Sequence, residues 1–279
     1  MLELQADCAR CSGLCCVIPT FARSADFAID KPAGTPCPHL AGDSACTIHA
    51  TLRPRGFAGC TVYDCFGAGQ QVSQVTFGGR DWRTDEQVAA DMGHVFDVVR
   101  HLHELLWYLQ DALGRPEAAD LVPALQAAAD SLTDLVGGSA QEVVGIDVGA
   151  QHHRVDLLLT AVSARVRAGA PQPTAQHHRS DLAGARLDGT NLRGAHLRGA
   201  VLIGAGLREA DLRQADLLGA DLRGADVRAA DLSDSLFLTQ VQVASAWGDD
   251  ATRLPDRVRP PAHWTSGGRR PTRRVGSRP

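Results

Sequence analysis

The chain has 279 residues, of which 44% are hydrophobic and 22% are charged, and its formal net charge is −4. This length favours about two domains, and the balance of apolar and charged residues is that of a folded globular protein, which excludes wholesale disorder. The small negative charge argues against a generally basic nucleic-acid binder, so direct nucleic-acid binding is not expected.

The compartment is predicted from the lack of two kinds of segment in the sequence. No apolar run approaches the ~18 residues that a membrane span requires. The first residues, MLELQADCARC, lack the basic region and the apolar stretch of a secretory signal. We therefore expect a cytoplasmic protein without a membrane association.

All eight cysteines lie within the first 65 residues. In a reducing cytosol, dense thiols bind metal more often than they form disulfides, and close spacing lets two sulfur atoms reach one ion. Eight thiolates suffice for two tetrahedral zinc sites, or for an iron–sulfur cluster with spare thiols. Inert buried thiols are the alternative, and His39 or His49 could complete a mixed site. The predicted metal ligands are Cys8, Cys11, Cys15, Cys16, Cys37, Cys46, Cys60 and Cys65.

The cysteine spacing resembles that of a known family. The segments CARCSGLCC, PCPHL, CTIHATLRP and GCTVYDC are similar to the CxxCxxxCC family of bacterial proteins, whose members are regarded as zinc or iron chelators. The chain departs from the family pattern at Arg53-Pro54 and at His49. The resemblance implies that residues 1–82 form a small Cys-rich metal-binding domain.

Residues 83–170 are predicted to form a helical bundle. Thr84 precedes Gln87 by three residues, which is typical of a capping box at a helix start. Apolar residues then recur from Val88 to Leu113 at alternating gaps of four and three, which places them on one helix face. This long stripe could pack inside the bundle or against a second copy of the chain.

Further helices of the bundle are predicted by their end signals. Gly114 ends the first helix, and a second capping box runs from Ser139 to Glu142. His101 and His103 are two residues apart and do not share a helix face. We interpret them, and the pair at His152, as residues without a functional role.

A repeat of five begins at Ser180 and runs through twelve units. The third position of every unit is apolar, and the first is Ala, Ser or Thr. A helix of 3.6 residues per turn would spread such a pattern around its axis, whereas a fixed short period predicts a solenoid. The third positions are Leu182, Leu187, Leu192, Leu197, Leu202, Leu207, Leu212, Leu217, Leu222, Val227, Leu232 and Phe237.

The geometry of one unit predicts which side chains point inward. The first and third positions are two residues apart, so in an extended segment they point the same way. We expect that direction to be the interior, with the second, fourth and fifth positions facing water. Units such as ADLRG resemble the A(D/N)LXX motif of the pentapeptide-repeat family. The resemblance implies a right-handed quadrilateral β-helix with four units in each coil.

The predicted fold class is therefore multi-domain α+β. It has a Cys-rich metal-binding domain, a helical bundle and a three-coil right-handed quadrilateral β-helix. Both ends of the coil need covers: we expect the helical section at the front and a short helix within Leu238–Trp247, with Trp264 nearby, at the back. The predicted domains are 1–82, 83–170, a linker at 171–179, the β-helix with its C-terminal cap at 180–248, and a Pro/Arg-rich tail at 249–279 that we expect to be disordered beyond Trp264.

Three functions remain open from the sequence. With both resemblances on one chain, the sequence is similar to a group of actinobacterial pentapeptide-repeat proteins. The first function is a non-enzymatic scaffold that binds a protein partner or forms a homodimer, and it requires the fewest assumptions about the residues. A DNA-mimicking modulator of a topoisomerase or gyrase, as some members of the family are, is opposed by nine acids against seven arginines in 180–239. The third alternative is a metal-dependent or redox enzyme that acts through the Cys-rich domain.

Overall fold

The computed structural model describes residues 2–170 and 175–264. Within them the chain divides into two compact units, with the division after residue 162. Part of the predicted linker, residues 171–174, and the predicted disordered tail from residue 265 onward lie outside the described residues. In the helices that are described, no segment is both long enough and apolar enough to cross a membrane.

The cysteine-rich region is built from short turns of helix joined by loops. Two antiparallel bridges, Phe21 with Lys31 and Leu40 with Cys46, tie the loops together. A 3-10 turn occupies Cys8–Arg10, and a π-helical turn directly follows the last of three short α-helical turns. The α-helical turns are α1 (Leu14–Val17), α2 (Ala58–Thr61) and α3 (Ala68–Gln70), with the π turn at Gln71–Thr76 and further 3-10 turns at His49–Thr51 and Trp82–Thr84.

The predicted helices follow, and the long apolar stripe is buried inside the first unit. Its helix packs against the two helices that come next, so the chain itself covers the stripe. The elements are α4 (Glu86–Leu113), a 3-10 turn (Pro116–Leu121), α5 (Val122–Val136), α6 (Ala140–Val144) and α7 (Val148–Ala168). The buried residues of α4 include Met92, Val95, Phe96, Val99, Leu102, Leu106 and Leu109.

The helix ends match the sequence signals at all but one place. The capping box at Ser139 and Glu142 is present, with both of its hydrogen bonds, and Gly114 follows the last residue of α4. The capping box predicted at Thr84 is wrong. Asp85 caps α4 instead, since its carboxylate accepts hydrogen bonds from the N–H groups of Gln87 and Val88.

The second unit contains the repeats, wound as a coil of twenty residues. Parallel bridges join residues twenty apart, such as Asp181 with Val201 and Val201 with Asp221. This spacing equals four units in each coil, as the family resemblance implies. In the described part of the chain these contacts are isolated bridges and not continuous strands, because each unit is extended only briefly before it turns.

The inward assignment of the first and third positions is confirmed, whereas the expectation that the second, fourth and fifth positions all face water is wrong at Asp216 (0% exposed), Asp226 (4%) and Gln214 (7%). From Leu192 to Leu232, the side chains at the third position are at most 4% exposed. The alanines at the first position are equally buried, for example Ala205 and Ala210 at 0%. In the two opening units, Leu182 and Leu187 are half-buried.

The fifth position of each unit has a role beyond facing water. Seven glycines there have positive φ, as do the non-glycine residues Arg179, Glu209, Gln214 and Ala229. A turn with φ > 0 at its third residue favours glycine, and the N–H of each first position closes the turn onto the preceding third position, as Ala195 does on Leu192 at 2.9 Å. Glycine thus sets the corner of the coil.

A short helix closes the back of the coil, as predicted. Helix α8 (Gln240–Ser245) places the Gln242 amide against the last coil, where its Nε2 donates to the carbonyls of Leu217 (2.7 Å) and Ala220 (2.9 Å). The Trp264 indole N–H donates to the carbonyl of Ala246 at 3.1 Å. The two bonds of Gln242 fasten the covering helix to main-chain acceptors of the coil, and the Trp264 bond fastens the chain beyond the helix.

We predict that truncating one inward leucine destabilises the coil strongly. Leu212→Ala removes a side chain that is 0% exposed, and such a cavity costs about 2–5 kcal/mol. Ile203 lies in the same repeats but is 38% exposed, so Ile203→Ala is the matched control and changes stability by about 0.5 kcal/mol or less. Chemical denaturation followed by circular dichroism measures both, and equal losses would contradict the inward assignment.

Candidate functional site

The eight cysteines are all free thiols and fall into two groups by their supports. One group, which we call the core thiols, packs on a hydrophobic cluster that includes Phe21, Ile48 and Phe57. The N–H of Cys37 donates to the carbonyl of Cys16 at 2.9 Å, which joins two of the loops that carry them. The core thiols are Cys16, Cys37, Cys46 and Cys60.

The other group, the edge thiols, lies where the N-terminal segment docks on α3 and the π turn. The Gln70 side chain donates to the carbonyl of Gln5 (2.7 Å) and accepts from the N–H of Asp7 (3.1 Å). The Ser73 hydroxyl accepts from the N–H of Ser12 at 3.0 Å. The edge thiols are Cys8, Cys11, Cys15 and Cys65.

Gly69 leaves the space in which two edge thiols meet. A Cβ atom at this position would lie 2.7 Å from the Sγ atom of Cys11 and 3.7 Å from that of Cys65. A contact of 2.7 Å is shorter than a carbon and a sulfur atom tolerate, so a side chain here would displace Cys11. The absence of a side chain at residue 69 therefore lets the N-terminal loop and the Cys65 loop bring their sulfur atoms together.

The loop that carries Cys65 is held in a strained conformation. Phe66 has a φ of 49°, which costs a non-glycine residue about 1–2 kcal/mol. Its N–H donates to the Asp64 carboxylate at 2.8 Å, and its carbonyl accepts from Nδ1 of His103 at 2.7 Å. His103 is fully buried on α4. The interpretation of His103 as a residue without a role is therefore incomplete, since it anchors the Cys65 loop.

The thiols interact with one another electrostatically, mainly within each group, although the edge thiol Cys8 also interacts with Cys16 and Cys46 of the core thiols. Burial raises the pKa of Cys60 to about 12, and the charges of Cys16, Cys37 and Cys46 act in the same direction. Burial likewise raises the pKa of Cys65, with a contribution from Cys11. These thiols are therefore protonated at neutral pH, and binding a cation would release their protons.

Cys16 differs from the other thiols. The thiol of Cys15 donates a hydrogen bond to its sulfur atom and lowers its pKa, the positive charge of Lys31 acts in the same direction, and burial opposes both. The Cys15 pKa rises correspondingly. The Cys15-Cys16 pair therefore links the edge thiols to the core thiols.

The cysteines fit a thiophilic metal by their chemistry but do not form a coordination shell as placed. Thiolate is the ligand that zinc and iron–sulfur clusters prefer, and Gly69 provides room beside two of the sulfur atoms. Among the described residues, no three His, Cys, Asp or Glu side chains converge on a common metal position. The eight ligands named from the sequence stay a prediction, and binding requires side-chain rotation.

Neither histidine suggested for a mixed site is placed among the thiols as a ligand. His39 packs edge-on against the Phe57 ring, with the ring centroids 5.2 Å apart. His49 starts an exposed 3-10 turn. Their roles are those of a packing residue and a surface residue.

A polar cluster between α4 and α7 is missed by the sequence interpretation. The Glu104 carboxylate accepts from the Tyr108 hydroxyl at 2.9 Å and lies 3.6 Å from the Arg100 guanidinium. His101 and His152 approach with ring centroids 6.0 Å apart. The spacing of four residues on α4 is visible in the sequence, but His152 comes from another helix and no local signal reveals it.

The comparisons with known proteins agree with the coil. The family described as Pentapeptide repeats (8 copies) matches residues 180–217 and 202–237. The chain is also 52% identical over 265 residues to the uncharacterized protein YybG of Bacillus subtilis (strain 168), which covers 94% of this chain and 95% of that protein. The chain belongs to the pentapeptide repeat family.

Two solved pentapeptide repeat structures are similar to part of this pentapeptide repeat protein. The protein alr5209 from Nostoc Pcc 7120 is 29% identical, with 35% of this chain and 85% of that chain covered and a TM-score of 0.23. HetL from Nostoc sp. strain PCC 7120, involved in heterocyst differentiation regulation, is 28% identical, with 29% and 44% covered and a TM-score of 0.16. The resemblances to actinobacterial proteins and to the CxxCxxxCC family stay predictions.

We predict that Gly69→Ala disturbs the edge thiols without disturbing the fold. The new methyl group displaces the Cys11 sulfur atom, so metal uptake falls by about one site if the thiols bind metal. Gly42→Ala is the control, because nothing lies within 4 Å of a Cβ atom there. Metal stoichiometry and circular dichroism are measured for both, and equal stoichiometry in the two variants would contradict the role of Gly69.

We predict that His103 makes the first unit sensitive to acid. Burial lowers its pKa to about 4, below the ~6.5 of an unfolded chain. The folded state thus binds fewer protons, so stability is complete above about pH 6.5 and falls by about 3 kcal/mol as the pH drops towards 4. His103→Gln keeps a donor for Phe66 and should flatten this dependence in denaturation curves. An unchanged slope would contradict the assignment.

Proposed function

We propose that this pentapeptide repeat protein is a non-enzymatic scaffold that presents its coil to a protein partner and carries a structural zinc or iron–sulfur site in its cysteine-rich region. The observation that carries the scaffold is the pairing of charges on the outer faces of the coil. In the units ADLRQ, ADLRG and ADVRA, the aspartate at the second position is bound by the arginine at the fourth position of the same unit.

The pairs are short and bidentate. Arg213 donates to the two carboxylate oxygens of Asp211 at 2.8 and 2.6 Å. Arg223 donates to those of Asp221 at 2.9 and 2.6 Å. These hydrogen bonds lower the pKa of both aspartates. Fork-to-fork pairs of this kind fix both side chains in one geometry, so the faces are rigid as well as charged.

The pairs also connect from coil to coil. Asp231 lies 3.8 Å from Nε of Arg213 and 3.7 Å from the guanidinium of Arg253. Exposed ion pairs contribute little to stability. These Asp–Arg pairs nevertheless cancel the local negative field that unpaired carboxylates would create. This supports a surface that recognises a protein and disfavours one that imitates the phosphates of DNA.

One paired face also presents an apolar residue. Ile203 is 38% exposed and occupies the fourth position of the unit directly stacked on the unit of Arg223, since Val201 bridges to Asp221. An apolar centre with a polar rim is the usual composition of a protein interface. The face around Ile203 and Arg223 is therefore the part of the coil that we assign to the partner.

The metal proposal is supported by eight free thiols crowded into a region with a small hydrophobic cluster. A bound metal ion or cluster would contribute directly to the folding free energy of this region. The core thiols and the edge thiols would supply the ligands.

Site-specific photo-crosslinking tests the scaffold. A photoreactive residue at position 203 in the full chain, expressed in the organism that produces it, should form a covalent product with a protein, and the charge reversal Arg223→Glu should reduce its yield at least several-fold. The same probe at Val75, which is 61% exposed in the first unit, is the control. Equal products at both positions would contradict a face-specific partner. Inhibition of gyrase supercoiling by the purified chain would favour the DNA-mimic alternative instead.

Elemental analysis of protein purified without oxygen tests the metal. We expect about two zinc ions per chain, or iron with inorganic sulfide and an absorbance near ~400 nm. Replacing the core thiols by serine should remove metal and lower the melting temperature of the first unit. A metal-free reduced protein with an intact first unit would overturn this part of the proposal.

A further inference from the structure

Lys31 is the one lysine of the sequence, and it is buried. Its exposure is only 3%, whereas lysine is almost never fully buried unless its charge is paired. Among the ion pairs of the described residues, none joins Lys31 to a carboxylate. Lys31 is therefore a buried amine that no carboxylate pairs among the described residues.

The three ammonium protons are each accounted for. Nζ donates to the carbonyls of Val17 (2.9 Å), Pro32 (3.2 Å) and Thr35 (2.9 Å). An ammonium has three donors and no acceptor, so this carbonyl cage fixes its position. The cage satisfies the hydrogen bonds of Lys31 but supplies no negative charge.

The cage is built from the loops that carry core thiols. Val17 directly follows Cys16, and Thr35 comes two residues before Cys37. The N–H of Cys37 donates to the carbonyl of Cys16, so Lys31 and this bond fasten the same two loops.

Lys31 also contacts the hydrophobic support of the core thiols. Its ammonium lies 4.8 Å from the centroid of the Phe21 ring, and Phe21 belongs to the cluster on which the core thiols pack. Burial lowers the pKa of Lys31, and only in their deprotonated, metal-binding form would Cys37, Cys16 and Cys60 oppose this and favour the charged ammonium. No edge thiol acts on it in this way.

A core-thiol site loaded with metal would carry a net negative charge. Four thiolates around one Zn²⁺ leave a net charge of about −2, and a buried anion of that kind is stabilised by a nearby fixed cation. Lys31 provides such a cation next to the core thiols.

We propose that the cysteines form two separate four-sulfur metal sites, and that Lys31 is the fixed counter-cation of the core-thiol site alone. This inference rests on the proposed metal function and adds to it the partition of the ligands and a positioning residue. The core-thiol site takes Cys16, Cys37, Cys46 and Cys60, and the edge-thiol site takes the other four cysteines.

Cobalt(II) titration of the reduced full chain, followed by zinc competition with a chelator, tests the proposal. The wild type should bind two equivalents. Lys31→Met keeps the aliphatic stem and removes the charge, so one of the two affinities should fall at least tenfold while the other is unchanged. Lys31→Arg keeps the charge and should retain most of the affinity. The control is Arg10→Met, since Arg10 is an exposed cation beside the edge thiols and should leave the core-thiol affinity unchanged.

Amine labelling gives a second readout on the unaltered lysine. Because Lys31 is the one lysine in the chain, an acetylating reagent and mass spectrometry report on it directly. Loading with zinc should slow its acetylation at least tenfold. The protection should persist in Cys11→Ser/Cys65→Ser and disappear in Cys37→Ser/Cys60→Ser.

The possible results distinguish a failure of the metal function from a failure of the role of Lys31 or of the division into two sites. A wild-type chain that binds no metal overturns the metal function itself. Two equivalents with unchanged affinities in a folded Lys31→Met variant overturn the role of Lys31 alone. If Lys31→Met fails to fold, the labelling experiment decides, and protection that depends equally on both cysteine pairs overturns the partition into two sites.

Discussion

From Leu192 onward, each five-residue unit of the coil buries one large apolar side chain, and parallel bridges join its main chain to residues twenty to twenty-two positions away. Both conditions hold together only if the chain turns a corner in every unit. The N–H of Leu212, for example, donates to the carbonyl of Asp231, and the N–H of Asp211 donates to that of Thr190. Main-chain hydrogen bonds of this kind recur from unit to unit, and they hold the backbone of the outer faces in place.

The rigidity of the coil determines what its surface can present. Side chains at the second and fourth positions of a unit stand side by side on a fixed backbone, so an aspartate and an arginine there meet in bidentate geometry, as in Asp221 and Arg223. The same stacking repeats the arrangement from coil to coil. A surface of this kind offers complementary charges and an apolar residue, Ile203, without the entropy cost of ordering long side chains on binding.

The cysteine-rich region depends on different forces. Its helical turns are short, its hydrophobic cluster is small, and its loops are tied by single bonds such as that between His103 and Phe66. Buried thiols and a buried ammonium are costly in a region of this size unless they complete one another electrostatically. Metal binding would supply that compensation and would couple the state of the thiols to the stability of the first unit.

The sequence by itself determined the features that repeat or that depend on near neighbours. The period of five placed Leu212 and its counterparts inside, and the capping box at Ser139 followed from a local pattern. The covering helix α8 was expected because an open coil end would leave strand edges unpaired. The number of units in each coil, four, came from the family resemblance. Where two local signals competed, the prediction was wrong: Asp85 caps α4 in place of Thr84 because its carboxylate reaches two N–H groups.

Only the tertiary structure decided which distant residues meet. The eight cysteines look alike in the sequence, but docking of the N-terminal segment on α3 separates the edge thiols from the core thiols. No sequence signal pointed to Gly69, which lies against the Cys11 sulfur atom, or to Lys31, whose ammonium group three carbonyls enclose. Periodicity reports contacts between neighbouring units, whereas these contacts join loops by long-range packing that no local pattern encodes.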